Sequence, residues 1–332
     1  MLVQTVLKNF RCHKDLTIEF SKNPFYISGN NGTGKTSVIE AIFTLLTLKS
    51  FRRINIKDAV SYGEEFLRIS ALFDDKPQLE MVFFYESQRR LLINGSEAAS
   101  TDFSHIFPTV CYSPGFETLF SIDQQVRRVS LDRIVYYTNK LYVEDVRNYN
   151  ALLIRKRAEL AAEKPDHGVL AALNVQLTPL SEKISRTRNA LVDEINQEII
   201  SDPLYDELLG GVVLALEINP MIKNSRELPA KRPLCGCHKD LLYLKKDGVV
   251  VEKFQSFGQK KSALLFILYQ ISKIIEKKRN QSIILLLDDF EAGLDGNRVK
   301  LIEGLFLNGN NGLSRQVVLT GISASARSAL VL

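Results

Sequence analysis

The sequence predicts an α/β protein with a mixed sheet, and three observations lead to this prediction. Residues 29–36 read GNNGTGKT directly after a short apolar run. Residues 283–289 read IILLLDD, an apolar run that ends in two carboxylates. From 258 to 320, segments with helical and strand periodicity alternate, and this alternation implies parallel strands joined by helices.

The first motif has the spacing of a phosphate-binding loop, G-x-x-x-x-G-K-[ST]. An apolar run at 24–28 predicts a strand before it, and apolar residues at helical spacing over 38–48 predict a helix after it. Glycines let backbone N–H groups approach phosphate oxygens, and the helix N-terminus adds its dipole. We expect Lys35 to reach the β- and γ-phosphates and Thr36 to ligate magnesium. The other loop residues expected to bind the nucleotide are Asn30, Asn31, Gly32, Thr33 and Gly34.

The second motif predicts a strand that is buried on both faces, because five apolar residues precede its carboxylates. In open α/β sheets ligands bind at the carboxyl ends of the strands, where Asp288 and Asp289 fall. Asp288 is expected to hold magnesium through water, and Asp289 to orient or deprotonate an attacking water. The two motifs together predict an enzyme that binds ATP with Mg²⁺ and hydrolyses it, with Lys35, Asp288 and Asp289 as catalytic residues.

The composition is that of an ordinary soluble protein, with 45% of the 332 residues hydrophobic and 24% charged. No apolar run reaches the ~18–20 residues that span a bilayer, and the N-terminus lacks a signal-peptide pattern. We therefore expect a cytoplasmic protein that does not associate with membranes, and its four cysteines to form no disulfide framework. A metal site is the alternative for Cys235, Cys237 and His238 with Cys12 and His13, but its C-x-C spacing is tighter than the usual C-x₂₋₄-C.

The net charge of +5 permits a polyanionic partner without requiring one. Short basic clusters are spread along the chain, and most clusters of this kind are solvated faces. They stand at 52–53, 127–128, 155–157, 231–232, 245–246, 260–261 and 277–279.

Periodicity divides the chain into a strand-rich start, a helical middle and a mixed end. Strands are predicted at 2–7, 16–20, 66–73, 79–85, 91–95 and 109–112, with an Asn94-Gly95 turn. Residues 122–208 are predicted to form an inserted helical arm, with an ordinary helical layer as the alternative. Within it, Thr178-Pro179 predicts an N-cap and the first residue of a helix. Strands return at 212–218, 241–244, 249–253 and 316–320, and helices are predicted at 258–278 and 296–307. The predicted head domain comprises 1–121 and 209–332.

One further motif, Ser256-x-Gly258-Gln259, opens the helix predicted at 258–278. A serine and a glycine at a helix start can bind an anion, and a plain helix cap is the alternative.

The order of these motifs resembles that of the ABC-type ATPase heads of the SMC group, and the finer segments resemble the RecF family. The resemblance covers nearly the whole chain, and its most particular segments are G-x-H-[KR]-D and R-R-x-x-L-D. The residues that carry it are Asn9-Phe10-Arg11, residues 29–36, Glu40-Ala41-Ile42, Lys49-Ser50-Phe51-Arg52, Asn94-Gly95, Ser113-Pro114, Arg127-Arg128-x-x-Leu131-Asp132, Tyr149-Asn150-x-Leu152, Gly236-x-His238-Lys239-Asp240-Leu241, Ser256-x-Gly258-Gln259-Lys260 and residues 285–289.

The resemblance implies an ABC-type head with a short helical arm, two copies of which close on two ATP molecules. Ser256, Gly258 and Gln259 of one copy would then face the γ-phosphate that Lys35 of the other holds. By motif position, Arg11 would approach the phosphates, Asp295 would lie at the dimer interface and Thr320 would take the switch position after the last strand. Asp289 stands where many ABC-type ATPases have glutamate, and its shorter reach predicts slow hydrolysis that serves as a switch.

The resemblance also implies partners and a process. A RecF-like protein binds duplex and gapped DNA without sequence specificity, works with RecO and RecR, and promotes RecA loading, recombinational repair and the SOS response. The candidate DNA contacts are Arg52, Arg53, Lys245 and Lys246. An ATP-gated protein-docking scaffold without direct DNA binding is the alternative. A nuclease is disfavoured because no acidic metal-binding domain is added, and a transporter ATPase because of the helical segment and the G-x-H-K-D segment.

Overall fold

The computed structural model describes residues 1–21, 23–52, 54–74, 78–115, 119–222, 225–251, 256–308, 315–321 and 330–332. The strands of these residues are β1 (Leu2–Phe10), β2 (His13–Glu19), β3 (Phe25–Ser28), β4 (Leu67–Phe73), β5 (Leu79–Tyr85), β6 (Arg89–Ile93), β7 (Ser96–Glu97), β8 (Thr109–Tyr112), β9 (Val213–Glu217), β10 (Leu241–Lys246), β11 (Val249–Val250), β12 (Ile284–Leu287), β13 (Gln316–Gly321) and β14 (Leu330–Val331). The helices are α1 (Lys35–Thr47), α2 (Ser100–Phe103), α3 (Gln124–Thr138), α4 (Tyr142–Ala161), α5 (His167–Ile200), α6 (Tyr205–Leu209), α7 (Glu227–Ala230), α8 (Phe257–Arg279) and α9 (Gly296–Asn308).

The chain divides into two compact units. The first is discontinuous in sequence, because the second is inserted within it. The first unit comprises Met1–Glu117 and Ser272–Leu332, and the second is Thr118–Ile271. The helical segment expected at 122–208 lies within the second unit. That unit extends to Ile271, beyond the expected boundary at 208, because β9 pairs with β10 and packs on α5.

The first unit contains two sheets of different kinds. One is antiparallel, in the order β2-β1-β4-β5-β6-β7, and the other is parallel, in the order β14-β3-β13-β12-β8. The α/β class is confirmed, and the parallel and antiparallel strands are segregated into separate sheets. A two-residue turn joins β6 to β7, and Asn94 and Gly95 both adopt positive φ there, as a hairpin turn of the predicted kind requires.

Helix α1 packs in the core of the first unit, where residues of both sheets meet it. Eleven of its thirteen residues are buried, and it contacts β1, β4 and β5 of one sheet and β8, β12 and β13 of the other. The Gln316 side chain joins β13 to β1 through two hydrogen bonds. It accepts from the Leu2 N–H at 2.6 Å and donates to the Leu2 carbonyl at 2.7 Å. The helix that follows the phosphate loop is thus held on two sides.

The second unit consists mainly of the antiparallel helices α4 and α5. Their apolar faces meet through residues that include Tyr149 and Leu153 of α4 and Leu177 and Ile184 of α5, all of which are buried. A small antiparallel sheet, in the order β11-β10-β9, completes the unit. Strand β11 ends at Val250, and residues 252–253 of the strand predicted at 249–253 lie outside the described residues.

The prediction that Thr178-Pro179 starts a helix is wrong. Helix α5 begins twelve residues earlier, where the Asp166 carboxylate accepts from the N–H groups of Gly168 and Val169, and it continues through Pro179. A proline inside a helix removes a hydrogen bond and costs about 3 kcal/mol. Burial of the α5 face on both sides of Pro179 offsets this cost, since each buried leucine contributes roughly 1.5–3 kcal/mol.

Among the described residues, no helix is both long and apolar enough to cross a membrane.

Candidate functional site

The phosphate loop connects β3 to α1, and its shape depends on glycine. All four residues of β3 are buried, so the loop leaves the sheet from a fixed point. Gly32 and Gly34 have φ of 88° and 98°, which side chains rarely adopt. A Cβ on Gly34 would lie 2.6 Å from the Cys12 Sγ atom, so a larger residue would have to displace that side chain in addition to adopting the unfavourable φ. The loop therefore keeps its backbone exposed to an anion at the start of α1.

Lys35 lies over the loop that precedes it. Its Nζ atom donates to the carbonyls of Gly29 at 2.6 Å and Asn30 at 2.8 Å. These contacts place the ammonium group at the concave side of the loop, where phosphate oxygens would find a cation. Thr33 stabilises the turn, since its hydroxyl donates to the Asn30 carbonyl at 3.0 Å.

Asp288 is a buried carboxylate that receives three hydroxyl groups. Thr36 donates to Oδ1 at 3.0 Å, Thr320 to Oδ1 at 2.7 Å and Ser113 to Oδ2 at 2.8 Å. The side chains come from the start of α1, the end of β13 and the end of β8, which all meet beside the end of β12. The sheet order therefore brings Thr36 together with Asp288 and Thr320, which follow it in the sequence by more than 250 residues.

Asp289 follows in a left-handed conformation, with φ of 46°. Its N–H group donates to the Thr320 hydroxyl at 3.0 Å. This strained turn directs the chain away from the sheet immediately after Asp288 and leaves Asp289 partly exposed at the site. Thr320 thus contacts both members of the acidic pair, as donor to one and acceptor for the other.

These groups line a single cavity of about 280 Å³. Loop residues form one wall, and Asp288, Asp289 and Thr320 form another. Its remaining lining side chains are Cys12, Ser37 and Arg52. The hydroxyl of Thr36 beside a carboxylate supplies the oxygen ligands that Mg²⁺ prefers, and the glycine loop with Lys35 supplies the donors that phosphates need. The residues present thus fit a magnesium–nucleotide complex.

Arg11 is engaged elsewhere, because it forms a two-point ion pair with the buried Glu40 carboxylate of α1. Its Nη2 and Nε atoms lie 2.6 and 3.0 Å from the two Glu40 oxygens. Arg52 approaches the same carboxylate at 3.3 Å and Ser50 donates to it at 2.5 Å. Of the two arginines, Arg52 lines the cavity, so the structure places Arg52 and not Arg11 in the cavity wall. Arg53, its predicted companion, lies outside the described residues.

Ser256 and Gln259 form a capping box at the start of α8. The Gln259 N–H donates to the Ser256 hydroxyl at 3.3 Å, and the Ser256 N–H donates to the Gln259 side-chain carbonyl at 2.9 Å. Asp295 caps α9 in the same way, and a backbone hydrogen bond from Arg298 lowers the pKa of this exposed carboxylate. Within one chain these three residues therefore act at helix starts, and Gly258 lies in the first turn of α8, where its carbonyl accepts from the Ser262 hydroxyl at 2.9 Å.

The two most particular sequence segments meet in the second unit, around Arg188. This buried arginine donates to both oxygens of Asp132 at 2.8 and 2.9 Å, to Asp240 at 2.9 Å and to the Cys237 carbonyl at 2.6 Å. Asp240 also accepts from the Ser185 hydroxyl at 2.7 Å. R-R-x-x-L-D and G-x-H-K-D are thus joined by one polar network in the interior of the unit.

Tyr149 of α4 contacts the G-x-H-K-D segment. Its hydroxyl lies 2.7 Å from His238 Nδ1, and a Cβ on Gly236 would lie 2.7 Å from Met221 Sδ, so glycine is required there. Burial lowers the pKa of His238 to about 4 and raises the pKa of Cys237 to about 11. His238 is therefore neutral and Cys237 a thiol at physiological pH. Among the described residues, no group of three or more histidine, cysteine or acidic side chains is gathered as a metal site requires.

Sequence reasoning did not assign Ser113, Cys12 or His13 to the site. Ser113 bonds to Asp288, and His13 Nε2 lies 3.1 Å from the Gly34 carbonyl. For Ser113, a serine directly after a predicted buried strand was an available signal, since that position shares the carboxyl edge of the sheet with Asp288. Cys12 and His13 carry no such signal, because Cys12 lies in the β1–β2 turn and His13 is the first residue of β2.

The comparisons with known proteins agree with one another. A family model described as an AAA domain matches residues 6–199. The DNA replication and repair protein RecF of Agathobacter rectalis is 26% identical over 342 residues, covering 97% of this chain and 93% of that protein. The RecF protein of Carboxydothermus hydrogenoformans is 29% identical over 331 residues, covering 95% and 92%.

Two solved structures show the fold. The recombination mediator protein RecF with ATP has a TM-score of 0.84 at 23% identity, covering 98% of this chain and 92% of that one. An SMC head bound to the C-terminal winged-helix domain of ScpA has a TM-score of 0.59 at 16% identity, covering 97% and 90%. The predicted ABC-type, SMC-like head is confirmed. The chain belongs to the AAA-domain family, whose model matches more than half of its length, and the predicted resemblance to the RecF family is confirmed by RecF proteins that match nearly all of its length.

Proposed function

We propose that this protein is an ATP-binding DNA replication and repair ATPase, in which slow hydrolysis acts as a switch. The observation that carries the proposal is the joining of the phosphate loop to Asp288 through the Thr36 hydroxyl, at 3.0 Å. The printed names of the RecF relatives supply the process, and the structure of RecF with ATP supplies the nucleotide.

The chain's own residues have distinct tasks in this proposal. The loop N–H groups and Lys35 bind the phosphates, and Thr36 with Asp288 would hold Mg²⁺. The metal ion, when bound, neutralises charge that develops on the β- and γ-phosphate oxygens. Asp289, held by Thr320, orients or deprotonates the attacking water. Aspartate is one methylene shorter than glutamate, so we expect a kcat below ~1 s⁻¹, under the median enzyme value of about 10 s⁻¹.

A second copy of the chain would complete the site. Ser256, Gly258 and Gln259, with Asp295 near the interface, would then approach the γ-phosphate of the other copy. The exposed start of α8 supports this, because Ser256 and Phe257 are both exposed there and the first-turn N–H groups of a helix favour an anion. ATP binding would close the dimer on duplex or gapped DNA, and hydrolysis would release it.

The proposed partners are RecO and RecR, and the proposed outcome is RecA loading in recombinational repair and the SOS response. Contacts to DNA would be mainly to phosphates and hence sensitive to salt. The cytoplasm is the compartment in which these partners and the chromosome would be reached.

The test uses fluorescence anisotropy of a gapped duplex titrated with the protein in the presence of Mg²⁺ and ATP or ADP. Lys35→Ala is the test variant, and Lys8→Ala is its control, since Lys8 is an exposed lysine on β1 outside the cavity. In a parallel titration with a fluorescent ATP analogue, Lys35→Ala should lose about a hundredfold in affinity, since two charge-assisted hydrogen bonds are removed.

Tight DNA binding that needs ATP and Lys35 supports the proposal. The proposal is contradicted if DNA binds equally well with and without ATP, or if the protein binds ATP but no DNA. Either result favours an ATP-gated scaffold for protein docking. Binding of a protein partner without DNA, lost on deletion of 141–200, would then identify that alternative.

A further inference from the structure

Four basic side chains from four separate segments of the second unit lie near one another on its surface. We call this group the cationic cluster; it comprises Arg128 of α3, Arg157 of α4, Arg232 after α7, and Lys239 in a short 3₁₀ turn. Three of them come from the basic clusters at 127–128, 155–157 and 231–232, which have no role in the nucleotide site. Arg157 and Arg232 are exposed, and Arg128 and Lys239 are half-buried.

Backbone contacts fix the positions of these segments. Arg128 Nη1 donates to the carbonyl of Asp240, the residue after Lys239, at 2.7 Å. On α4, Tyr149 touches His238 and stands eight residues, or about two helical turns, before Arg157. The Arg232 N–H donates to the Glu227 carbonyl at 3.3 Å, which closes α7. Arg188 and its carboxylate partners lie beneath the cluster and hold these elements together.

Two basic residues next to the cluster in sequence differ from it, because they are buried and have partners inside the unit. Arg127, next to Arg128, is buried and donates to the Leu242 carbonyl at 2.6 Å. Lys156, next to Arg157, is buried and lies 2.8 Å from the Glu227 carboxylate. These two cations have internal partners, so they serve the fold of the unit.

The cluster itself lacks such compensation. Within the described part of the chain, no carboxylate lies at ion-pair distance from Arg157, Arg232 or Lys239. Burial and the charges of Arg232, Arg128 and Arg157 lower the pKa of Lys239. Of the three acids whose charges act on Arg128, Asp132 and Asp240 are already paired with Arg188, and Asp123 accepts from the Gln125 N–H at the start of α3. Like charges held together raise the free energy of the isolated surface, and an anion that binds there would lower it.

We propose that the cationic cluster binds the phosphate backbone of nucleic acid, as a site separate from the ATP cavity. Arginine matches phosphate by donating two parallel N–H bonds, and the cluster holds three arginines. Their spread over four segments on an exposed surface suits a chain of phosphates more than one small anion. The inference rests on the proposed function for the identity of the polyanion.

The test compares two double variants with the same loss of charge on the same two segments. Arg157→Gln with Arg232→Gln removes two exposed members of the cluster. Arg155→Gln with Lys231→Gln is the control, because both of its side chains are exposed. Arg155 lies two residues before Arg157 on α4, and residues two apart on a helix do not share a face. Affinity for a fluorescent duplex is measured with ATP and Mg²⁺ at several salt concentrations, and circular dichroism checks that each variant is folded.

Each phosphate contact contributes about 0.9 to the slope of log affinity against log salt, so the test variant should lose about 1.8 in slope. At ~0.1 M salt this corresponds to a loss of about sixtyfold, whereas the control should stay within about threefold of the unmodified protein. Equal slopes and affinities for the two double variants would overturn the inference and leave the proposed function standing. Loss of binding to a poly-glutamate peptide with unchanged DNA affinity would also overturn it, in favour of an acidic protein partner. If the unmodified protein binds no duplex at all, the inference and the proposed function both fail.

Discussion

Replacing Arg188 with methionine should destabilise the second unit by about 3–5 kcal/mol, the usual result of leaving a buried charge unpaired. Arg188 is 4% exposed and makes four hydrogen bonds, two to Asp132, one to Asp240 and one to the Cys237 carbonyl. Asp240 is fully buried and would keep two donors, the Ser185 hydroxyl and the Asn219 N–H.

The expected destabilisation of about 3–5 kcal/mol is the sum of what the partners of Arg188 lose. Asp240 would lose its cation in a buried position, which accounts for about 2–3 kcal/mol. The Cys237 carbonyl would lose this donor and keep only the longer bond from the Asp240 N–H, at 3.3 Å, which costs about 1–2 kcal/mol. The Asp132 side chain is 20% exposed, so water can replace part of what it loses and its share is small.

Urea unfolding followed by far-ultraviolet circular dichroism measures the effect. Lys183→Met is the control on the same helix, because Lys183 is 60% exposed and its 2.8 Å pair with Asp145 should contribute under about 1 kcal/mol. Adding Asp240→Asn to Arg188→Met should recover about 1–2 kcal/mol, since it removes the unpaired charge and keeps the side-chain shape. A loss as small as that of the control, or no recovery in the double variant, would refute the electrostatic explanation.

Three further predictions concern the site and the pH dependence of stability. Gly34→Ala should lower the affinity for a fluorescent ATP analogue more than tenfold, because φ of 98° and contact with Cys12 both oppose a side chain; unchanged affinity would contradict the loop geometry. Thr320→Val should slow ATP turnover about tenfold through loss of one donor to Asp288, about 1.4 kcal/mol, while Thr320→Ser keeps the rate. Burial lowers the pKa of His238 to about 4 from its ordinary 6.5, so the unfolded chain takes up the proton first as the pH falls. The stability that His238 contributes is thus fully present above pH 6.5 and lost as the pH falls through 4; His238→Asn should reduce this loss by on the order of 2 kcal/mol at pH 4.5 in urea titrations.

Much of the fold followed from periodicity and short motifs. The strands at 79–85 and 109–112 begin and end where apolar alternation predicted them, and the helix predicted at 296–307 is α9 to within a residue. The phosphate loop and Asp288 were predictable because their chemistry restricts residue type and spacing. Their pairing was predictable as well, since the carboxyl ends of neighbouring parallel strands share one edge of a sheet.

What the sequence did not reveal depends on contacts between distant segments. Pro179 is an ordinary helix-start signal, but the Asp166 cap and the packed face of α5 outweighed it. Arg11 resembles a phosphate ligand by motif position, whereas its partner is a carboxylate buried on α1. The cationic cluster is invisible in sequence, because its members are up to 111 positions apart and their neighbours Arg127 and Lys156 face inward.

The parallel sheet has a consequence for how the protein is made. Strand β3 pairs with β13 at Phe25 and Val318, about 290 residues apart, and β12 supplies the carboxylate between β13 and β8. At about 5–20 residues per second, a ribosome needs on the order of 15–60 s to deliver β13 after β3 has emerged. The unit from Thr118 to Ile271 is by then complete within itself. The nascent chain therefore gains its helical unit first and its nucleotide site last, so a chain that stalls before β13 holds a phosphate loop whose strand β3 lacks both of its neighbours in the parallel sheet.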